Sequence, residues 1–283
     1  MASSTALVIV IYNPTENQKQ QLLCISDSFE GVIVDNSDIP SFEGMYVGKM
    51  HYVANHENKG IAYAHNCGYK IIFTLPHIKH IVTFDQDSRI TTDLVNALVE
   101  NYEDIEKAFP NLFALGPTTI NESNNATYSS IIHKDKEPVR GFIRRREINS
   151  SGCCISVEKL KEVGLEDERL FIDFVDCELC WRAYSKGYVS GITNKVTMNH
   201  RVGVKDIFIG KYQIIISSPF RYYYQYRNHL WLLRRSYVPT FWKFSQLIKH
   251  LCRLIYFPVA LKDGWSCEKH MLKGIRDGLR RCK

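Results

Sequence analysis

Two carboxylates, Asp85 and Asp87, directly follow a run of β-forming residues in the sequence IVTFDQDS (81–88). Side chains two positions apart on an extended chain point to the same side, so both carboxylates can reach one point at a strand end. Two anions held together need a cation, and Mg²⁺ or Mn²⁺ completed by substrate phosphates is the usual arrangement. A solvated turn in which Asp87 caps a helix starting near Thr91 explains the same residues.

A second acidic group lies in the sequence LFIDFVDCELCWRAYSKGY (170–188). The apolar spacing predicts a helix over 176–186 that ends before Gly187, a favourable C-cap. The helix dipole favours an acid in the first turn, which by itself accounts for one carboxylate. The sequence places three at this entrance, namely Asp173, Asp176 and Glu178. Glu178 and Arg182 lie four residues apart, so we expect them to form a supporting pair.

The elements that must position these acids are strands alternating with helices. The predicted strands are 6–12, 31–35, 51–55, 80–84 and 112–116, and the predicted helices are 15–27, 61–75 and 91–107. This order predicts an α/β fold, a mostly parallel central sheet with flanking helices. Ligands of such sheets bind beyond the carboxyl ends of the strands, where the polar sequences IYNP, VDNS and FDQDS follow three of the runs.

Composition divides the chain in two. Its 283 residues are 45% hydrophobic, enough for a full core. The net charge of +6 is uneven, because residues 221–283 hold 14 Lys and Arg against 3 Asp and Glu, which leaves −5 for residues 1–220. We therefore expect an acidic catalytic body over 1–220 and a helical, basic, amphipathic region over 221–283.

Several features predict a cytosolic chain with reduced thiols. No run of 18 apolar residues is present, and the N-terminal MASSTALVIV lacks the basic region and cleavage site of a signal peptide. The nine cysteines are odd in number and lack the spacing of a disulfide framework. Cys177 and Cys180 form a C-x-x-C that would make a zinc site with Cys153 and Cys154, but no second C-x-x-C exists and the pair falls in a helix.

The C-terminal region contains a predicted amphipathic helix, PTFWKFSQLIKHLCRLIYF (239–257). Its apolar side consists of Phe241, Phe244, Ile248, Leu251 and Ile255, and its other side of Lys243, Gln246, Lys249, His250 and Arg253. Basic charge beside aromatic residues favours an interfacial helix on an anionic membrane, where Lys243, Lys249 and Arg253 would contact lipid. A core element and an oligomer surface explain the same periodicity.

Basic and aromatic residues also interleave in RYYYQYRNHLWLLRR (221–235), as they do in proteins that bind nucleic acid. The acidic body argues against that function, so no nucleic-acid partner is expected.

Taken together, the motifs resemble those of the family 2 inverting glycosyltransferases with the A-type fold, and within them bacterial rhamnosyltransferases. The matching sequences, which cover 6–235 in order, are IVIYNP, VDNS, ENKGIAYAHNCG, FDQDS, SSGCCIS, FIDFVDCELCWRAYSKGY, NHRVG and SPFRYYYQYRNHLWLLRR. The resemblance implies metal-dependent transfer of L-rhamnose from dTDP-β-L-rhamnose to a polysaccharide or lipid-linked glycan at the inner face of the cell membrane. UDP-galactofuranose and UDP-hexoses stay open as donors, and a non-catalytic nucleotide-sugar-binding scaffold is the alternative outside catalysis.

The resemblance also implies roles for single residues. Asp176 is the expected base that deprotonates the acceptor hydroxyl, with Asp173 as a second candidate. Asp35 would accept the imide N–H of a pyrimidine, and the amides near Asn58 and Gly60 would approach the nucleotide closely. The nucleotide-binding residues implied are Tyr12, Asp35, Asn58, Gly60, Asn66 and Asp85. The residues implied to bind Mn²⁺ or Mg²⁺ are Asp85, Asp87 and His200. His65 is expected to be a packing or surface residue.

Overall fold

A nine-stranded sheet forms the centre of the protein, in a computed structural model that describes residues 4–121, 139–200, 205–209 and 212–280. Its strands are β1 (Thr5–Ile11), β2 (Glu30–Asp35), β3 (Tyr46–Val47), β4 (Met50–Ala54), β5 (His80–Asp85), β6 (Leu112–Asn121), β7 (Phe142–Arg145), β8 (Cys153–Ser156) and β9 (Val189–His200). Two further strands, β10 (Lys205–Ile209) and β11 (Tyr212–Ile216), form a separate antiparallel hairpin.

The helices pack around this sheet. They are α1 (Glu16–Ser26), α2 (Ile61–Ile72), α3 (Thr92–Ala108), α4 (Val157–Val163), α5 (Val175–Ser185), α6 (Pro219–Leu233), α7 (Thr240–Ala260) and α8 (Gly264–Leu279), with a 3-10 turn at Glu168–Leu170. The helix predicted over 176–186 is confirmed as α5. Gly187 follows it at φ 89° and donates its N–H to the carbonyl of Tyr184 (3.0 Å), as predicted for a C-cap glycine.

The sheet has the order β3-β4-β2-β1-β5-β8-β6-β9-β7. Strands β4, β2, β1 and β5 are mutually parallel, so their carboxyl ends lie at one edge. The second half is mixed, because β8 runs antiparallel between β5 and β6, and β7 runs antiparallel to β9. The predicted α/β class with a large sheet and flanking helices is confirmed, and the parallel part is the one that carries the predicted chemistry.

Each face of the sheet is covered by helices. Strand β1 is buried along its whole length, and its side chains alternate between two cores. Leu7 and Ile9 pack with residues of α1 and α3, whereas Ala6 and Val8 pack with residues of α2 and α5. A strand buried on both faces is a rigid support, which fixes the residues at its carboxyl end.

The C-terminal helices form a smaller core of their own. Tyr222 and Tyr226 of α6 pack there with Phe257 of α7 and with Met271 of α8. Helix α6 also joins the body, because Leu232 packs against Trp181 of α5. The predicted domain boundary at 220/221 falls within the first turn of α6. Within the described parts of the chain, no helix combines the length and the apolar character that crossing a membrane requires.

Candidate active site

A cleft of about 540 Å³ opens beyond the carboxyl ends of β1, β2 and β5. Seven of the predicted residues line it, namely Tyr12, Asn58, Gly60, Asp85, Asp87, Asp173 and Asp176. They come from four separate stretches of the chain, which the sheet topology and α5 bring together. The cleft is the place where ligands of this kind of sheet bind.

The first acidic group sits in the turn that ends β5. Asp85 lies in register with Val10 of β1, and its N–H donates to Ser151 Oγ (3.2 Å). The hydroxyls of Ser88 and Ser151 are 2.6 Å apart, which ties the turn to the segment before β8. Asp85 is half-buried and Asp87 is exposed.

Asp87 does not cap a helix. The N-cap of α3 is Thr91, whose Oγ1 accepts the N–H of Leu94 (3.2 Å). The interpretation of Asp87 as a capping residue is therefore wrong, and its carboxylate is available to the cleft.

Gln86, between the two acids, joins the ends of β5 and β1. The N–H of Tyr12 donates to Gln86 Oε1 (2.6 Å), and Gln86 Nε2 donates to the carbonyl of Tyr12 (3.1 Å). Sequence reasoning missed this residue, although the middle position of a D-x-D at a strand end is the one that points away from the two carboxylates. The pair leaves the Tyr12 side chain 46% exposed at the cleft.

Asp176 lies in the first turn of α5 and is partly buried at the cleft wall. Its Oδ1 accepts the N–H of Cys177 (2.8 Å). Burial raises the pKa of the Asp176 carboxyl to about 6, and the negative charges of Glu166 and Asp85 add to this rise. A carboxylate with such a pKa is ionised at neutral pH and more basic than an ordinary aspartate.

Asp173, the second candidate base, is engaged in an ion pair. Arg221 of α6 donates to it from Nη2 (2.6 Å) and Nε (3.2 Å), and the Asp173 side chain is only 8% exposed. Both Asp173 oxygens are thus held by the guanidinium, whereas within the described residues no cation contacts those of Asp176. The geometry therefore favours Asp176 over Asp173 as the base.

The predicted pair of Glu178 and Arg182 is confirmed, with Arg182 Nε 3.0 Å from Glu178 Oε1. Glu178 also accepts a hydrogen bond from Arg235 Nη1 (2.9 Å) and from the Tyr237 hydroxyl (2.5 Å). This buried network joins α5 to the segment after α6, and it lies outside the cleft lining.

Asp35 is placed differently from the expectation. It is fully buried and does not line the cleft, whereas its neighbour Asn36 does. Its oxygens accept from the N–H groups of Ser37 and Ser41 (2.8 Å each) and from the Tyr52 hydroxyl (2.6 Å). Burial raises the pKa of the Asp35 carboxyl, but these hydrogen bonds outweigh it, so the net pKa lies below its ordinary value. In this conformation both carboxylate oxygens are engaged within the protein.

Asn66 is also placed away from the cleft. Its Nδ2 donates to the carbonyl of Glu166 (2.9 Å) and to Glu168 Oε1 (2.9 Å), and its Oδ1 accepts the N–H of Glu166 (2.9 Å). The predicted contact with a nucleotide does not hold, because the buried amide is used to fix the 166–168 segment.

Gly60 is required for packing. It has φ 85°, and a Cβ there would lie 2.5 Å from the Phe171 carbonyl oxygen. That oxygen accepts the N–H of Ile61 (2.7 Å), while the N–H of Gly60 donates to Asn58 Oδ1 (3.0 Å). The amides of Gly60 and Ile61 thus have protein acceptors in this structure.

His65, expected to be a packing or surface residue, is a buried packing residue that also borders the cleft. It is 1% exposed, and its Nδ1 lies 3.1 Å from both oxygens of Glu166. Burial lowers the pKa of the His65 imidazole, but the charge of Glu166 outweighs it, so the net pKa is raised. Glu166 is 101 residues further along the chain, so no local pattern indicates the pair.

The remaining metal candidates differ in what the structure describes. His200 is the last residue of β9, and its side chain lies outside the described residues. Burial raises the pKa of the thiols of Cys153, Cys177 and Cys180. Among the described residues, no group of three or more His, Cys, Asp or Glu side chains is arranged to hold a metal.

Comparison with known proteins gives one similar sequence and several similar folds. The chain is 31% identical to the dTDP-rhamnosyl transferase RfbF of Shigella flexneri over 294 aligned positions, which cover 99% of this chain and 97% of the relative. No family model matches the chain.

Two solved structures share the fold at low identity. S. aureus TarS 1-349 in complex with UDP-GlcNAc is 12% identical with a TM-score of 0.56, over 97% of this chain and 80% of that one. The mannosyltransferase PcManGT of Pyrobaculum calidifontis in complex with GDP-Man and Mn²⁺ is 13% identical with a TM-score of 0.53, over 99% and 76%. Against a longer TarS chain, this chain spans 45% of the length.

Proposed function

We propose that this chain, which belongs to the bacterial rhamnosyltransferases of A-type fold, transfers L-rhamnose from dTDP-β-L-rhamnose to a glycan hydroxyl with inversion. That the chain is a glycosyltransferase using a nucleotide sugar follows from its family. The observation that carries the finer proposal is the composition of the cleft. Its lining contains Asp176, with a pKa of about 6, together with Asp85 and Asp87.

Asp176 acts as the general base in this proposal. Its carboxylate accepts the proton of the acceptor hydroxyl, whose oxygen then attacks the anomeric carbon of the sugar as the nucleoside diphosphate leaves from the opposite side. A base works best when its pKa is close to the operating pH, and about 6 meets that condition better than an ordinary aspartate does.

Asp85 and Asp87 are suited to hold Mg²⁺ or Mn²⁺. Both line the cleft at the end of β5, both offer oxygen ligands, and two carboxylates completed by substrate phosphates are a usual site for such ions. The bound ion would neutralise charge on the leaving diphosphate. We keep His200 as a proposed third ligand on the ground of the family resemblance alone.

The nucleotide is proposed to bind against Tyr12 and Asn58. Each lines the cleft, and the half-exposed Tyr12 ring offers an aromatic surface to a base. Asp35 is proposed to fix the segment that follows β2, since its carboxylate accepts the N–H groups of Ser37 and Ser41.

The experiment is a donor screen with the purified protein. We expect transfer from dTDP-rhamnose in the presence of Mn²⁺ or Mg²⁺, loss of transfer in EDTA, and an inverted anomeric configuration in the product by NMR. Preferential use of UDP-galactofuranose or a UDP-hexose would overturn the donor assignment. Retention of configuration, or full activity in EDTA, would overturn the mechanism.

The acceptor side of the proposal rests on an unusual orientation of α7. Its apolar stripe faces solvent, with six side chains 53–89% exposed: Phe241, Phe244, Ile248, Leu251, Ile255 and Val259. The polar side faces the protein, where His250 is buried and Lys243 Nζ donates to the carbonyl of Arg235 (2.7 Å). An exposed apolar stripe of this length marks an interaction surface.

We propose that an anionic lipid bilayer covers this stripe and brings the enzyme to a lipid-linked acceptor. The region 221–283 carries 14 Lys and Arg against 3 Asp and Glu, which complements anionic lipid and would repel a second copy. Of the three predicted lipid contacts, Lys243 and Arg253 bind within the protein, whereas Lys249 is exposed. Lys262 and Lys269, in the same C-terminal region, are also exposed.

Vesicle co-sedimentation tests this surface. We expect binding to phosphatidylcholine vesicles that contain phosphatidylglycerol but not to phosphatidylcholine alone, weakened by salt and lost in Phe244→Glu. Leu23→Glu, at an exposed apolar position of α1, is the matched control and should bind normally. Binding to neither vesicle type, or a lipid-free dimer that Phe244→Glu dissociates, would overturn the proposal.

A further inference from the structure

The segment that leads into α5 has a strained backbone. Phe171 has φ 65° and ψ −64°, and the N–H of Ile172 donates to the carbonyl of Leu170 (2.7 Å), so Phe171 is the central residue of a γ-turn of the rare type with positive φ. Asp173 (φ 63°) and Phe174 (φ 67°) also have positive φ. Non-glycine residues in such conformations are strained, and they persist only where their surroundings hold them.

Asn228 of α6 makes several of the contacts that keep this segment in place. It is fully buried, and its Nδ2 lies within hydrogen-bond distance of the carbonyls of Leu170 (2.8 Å), Ile172 (2.8 Å) and Asp173 (3.1 Å). One amide group therefore contacts three backbone carbonyls in the four-residue stretch 170–173.

Arg227, the neighbour of Asn228, fixes the orientation of this amide. Arg227 Nη2 donates to Asn228 Oδ1 (2.8 Å), which turns the NH₂ group toward the strained segment. The same Nη2 lies 2.7 Å from the carbonyl oxygen of Arg169. Both residues of this pair act on backbone atoms, and neither lines the cleft.

The held segment joins two walls of the cleft. The carbonyl of Phe171 accepts the N–H of Ile61 at the start of α2 (2.7 Å). Phe174 is the N-cap residue of α5, and its carbonyl accepts the N–H of Glu178 (2.9 Å). Asp176 lies two residues after this cap, so the path of 171–174 decides where its carboxylate stands.

We propose that Asn228 is a positioning residue for catalysis, which holds the strained 171–174 segment so that Asp176 meets the acceptor hydroxyl. The inference rests on the proposed role of Asp176 as the base. Without the Asn228 amide the segment relaxes toward ordinary backbone conformations, and Asp176 moves with it. A misplacement of about 1 Å can lower a rate by about 10², so the effect appears in turnover.

The test compares Asn228→Ala with Leu98→Ala, a control at a buried core position of α3. We expect Asn228→Ala to lower kcat for transfer by about 10² and to change the KM and binding of the nucleotide sugar by less than about threefold. Leu98→Ala should lower stability and leave kcat unchanged. Equal kcat in Asn228→Ala and wild type, or a rise in donor KM that accounts for the whole loss, would overturn the proposal.

Two further measurements keep the test valid if Asn228→Ala fails to fold or if the proposed function is wrong. Arg227→Gln leaves the Asn228 side chain in place but frees its amide, so it should fold and lower kcat in the same direction by a smaller factor. Hydrogen exchange of the peptide over 171–178 needs no sugar, and it should accelerate in both variants while β1 stays protected. If the wild-type protein transfers no sugar, the proposed function fails, but hydrogen exchange still tests whether Asn228 holds the 171–174 segment. Unchanged exchange in both variants would overturn that role of Asn228.

Discussion

The two acidic groups of the cleft are held in opposite ways. Asp85 and Asp87 stand at the end of a central strand, where the ladder with β1 and the hydroxyl of Ser151 fix the turn. Asp173 lies within a strained segment and Asp176 directly follows it, and side chains of a helix about 50 residues later hold this segment in place. The first group is positioned by regular backbone structure, the second by tertiary contacts of α6.

This difference decides which properties of the protein a substitution in each group affects. The turn after β5 keeps its place as long as the sheet does, so substitutions there act on chemistry alone. The entrance to α5 depends on Arg221 and Asn228, so substitutions there can act on stability, on position or on proton transfer. Separate readouts of rate and stability therefore distinguish the two groups.

The largest expected effect is that of Asp176→Asn. If Asp176 is the base, kcat for transfer falls by about 10²–10⁴, the usual range for general base catalysis, and donor binding stays near that of wild type. Stopped assays with labelled donor give kcat, and calorimetric titration gives binding. Near-normal kcat in Asp176→Asn would move the role of base to another group.

The next effect separates the two acidic groups. Asp87→Ala should lower transfer by about 10², because a ligand of the leaving-group ion is lost, and should leave the free energy of unfolding within about 0.5 kcal/mol of wild type, since Asp87 is exposed. Denaturant titration and metal-dependent kinetics measure the two quantities.

Asp173→Asn should behave in the reverse way. It removes one partner of a mostly buried ion pair, so the free energy of unfolding falls by about 1–3 kcal/mol, discounted for the partial exposure of Arg221. Asparagine tolerates the positive φ at this position, which isolates the ion pair as the cause. A stable variant with abolished turnover would instead make Asp173 the base.

The smallest effect is on the pH profile. Asp176 must be deprotonated to act, so the rate is high above its pKa and falls as the pH drops through about 6. Burial is the main cause of the raised pKa, and the charge of Glu166 adds to it, so Glu166→Gln should move the acid limb to lower pH without abolishing turnover. A limb that stays in place, or moves to higher pH, would contradict this account of the electrostatics.

The sequence by itself determined the features that depend on local pattern. Local pattern predicted β1, β2, β4, β5 and β6 of the body, its helices α1, α2, α3 and α5, the C-cap at Gly187 and the pair of Glu178 and Arg182, because hydrophobic period, turn residues and helical spacing act over a few positions. The strands β3, β7, β8 and β9 and the helix α4 were not predicted. The acids at the end of β5 belong to the same class, since parallel strands bring their carboxyl ends to one edge of the sheet.

Only the tertiary structure decided which polar side chains face the cleft. Asp35 and Asn66 are turned into the protein, while His65 lines the cleft beside Glu166 and Asn228 holds the approach to Asp176. Each of these outcomes depends on where a polar group finds its hydrogen-bond partner, and for the last three that partner lies about 50–100 residues away. Buried polar groups must be satisfied wherever the fold provides a partner, and no short stretch of sequence records that choice.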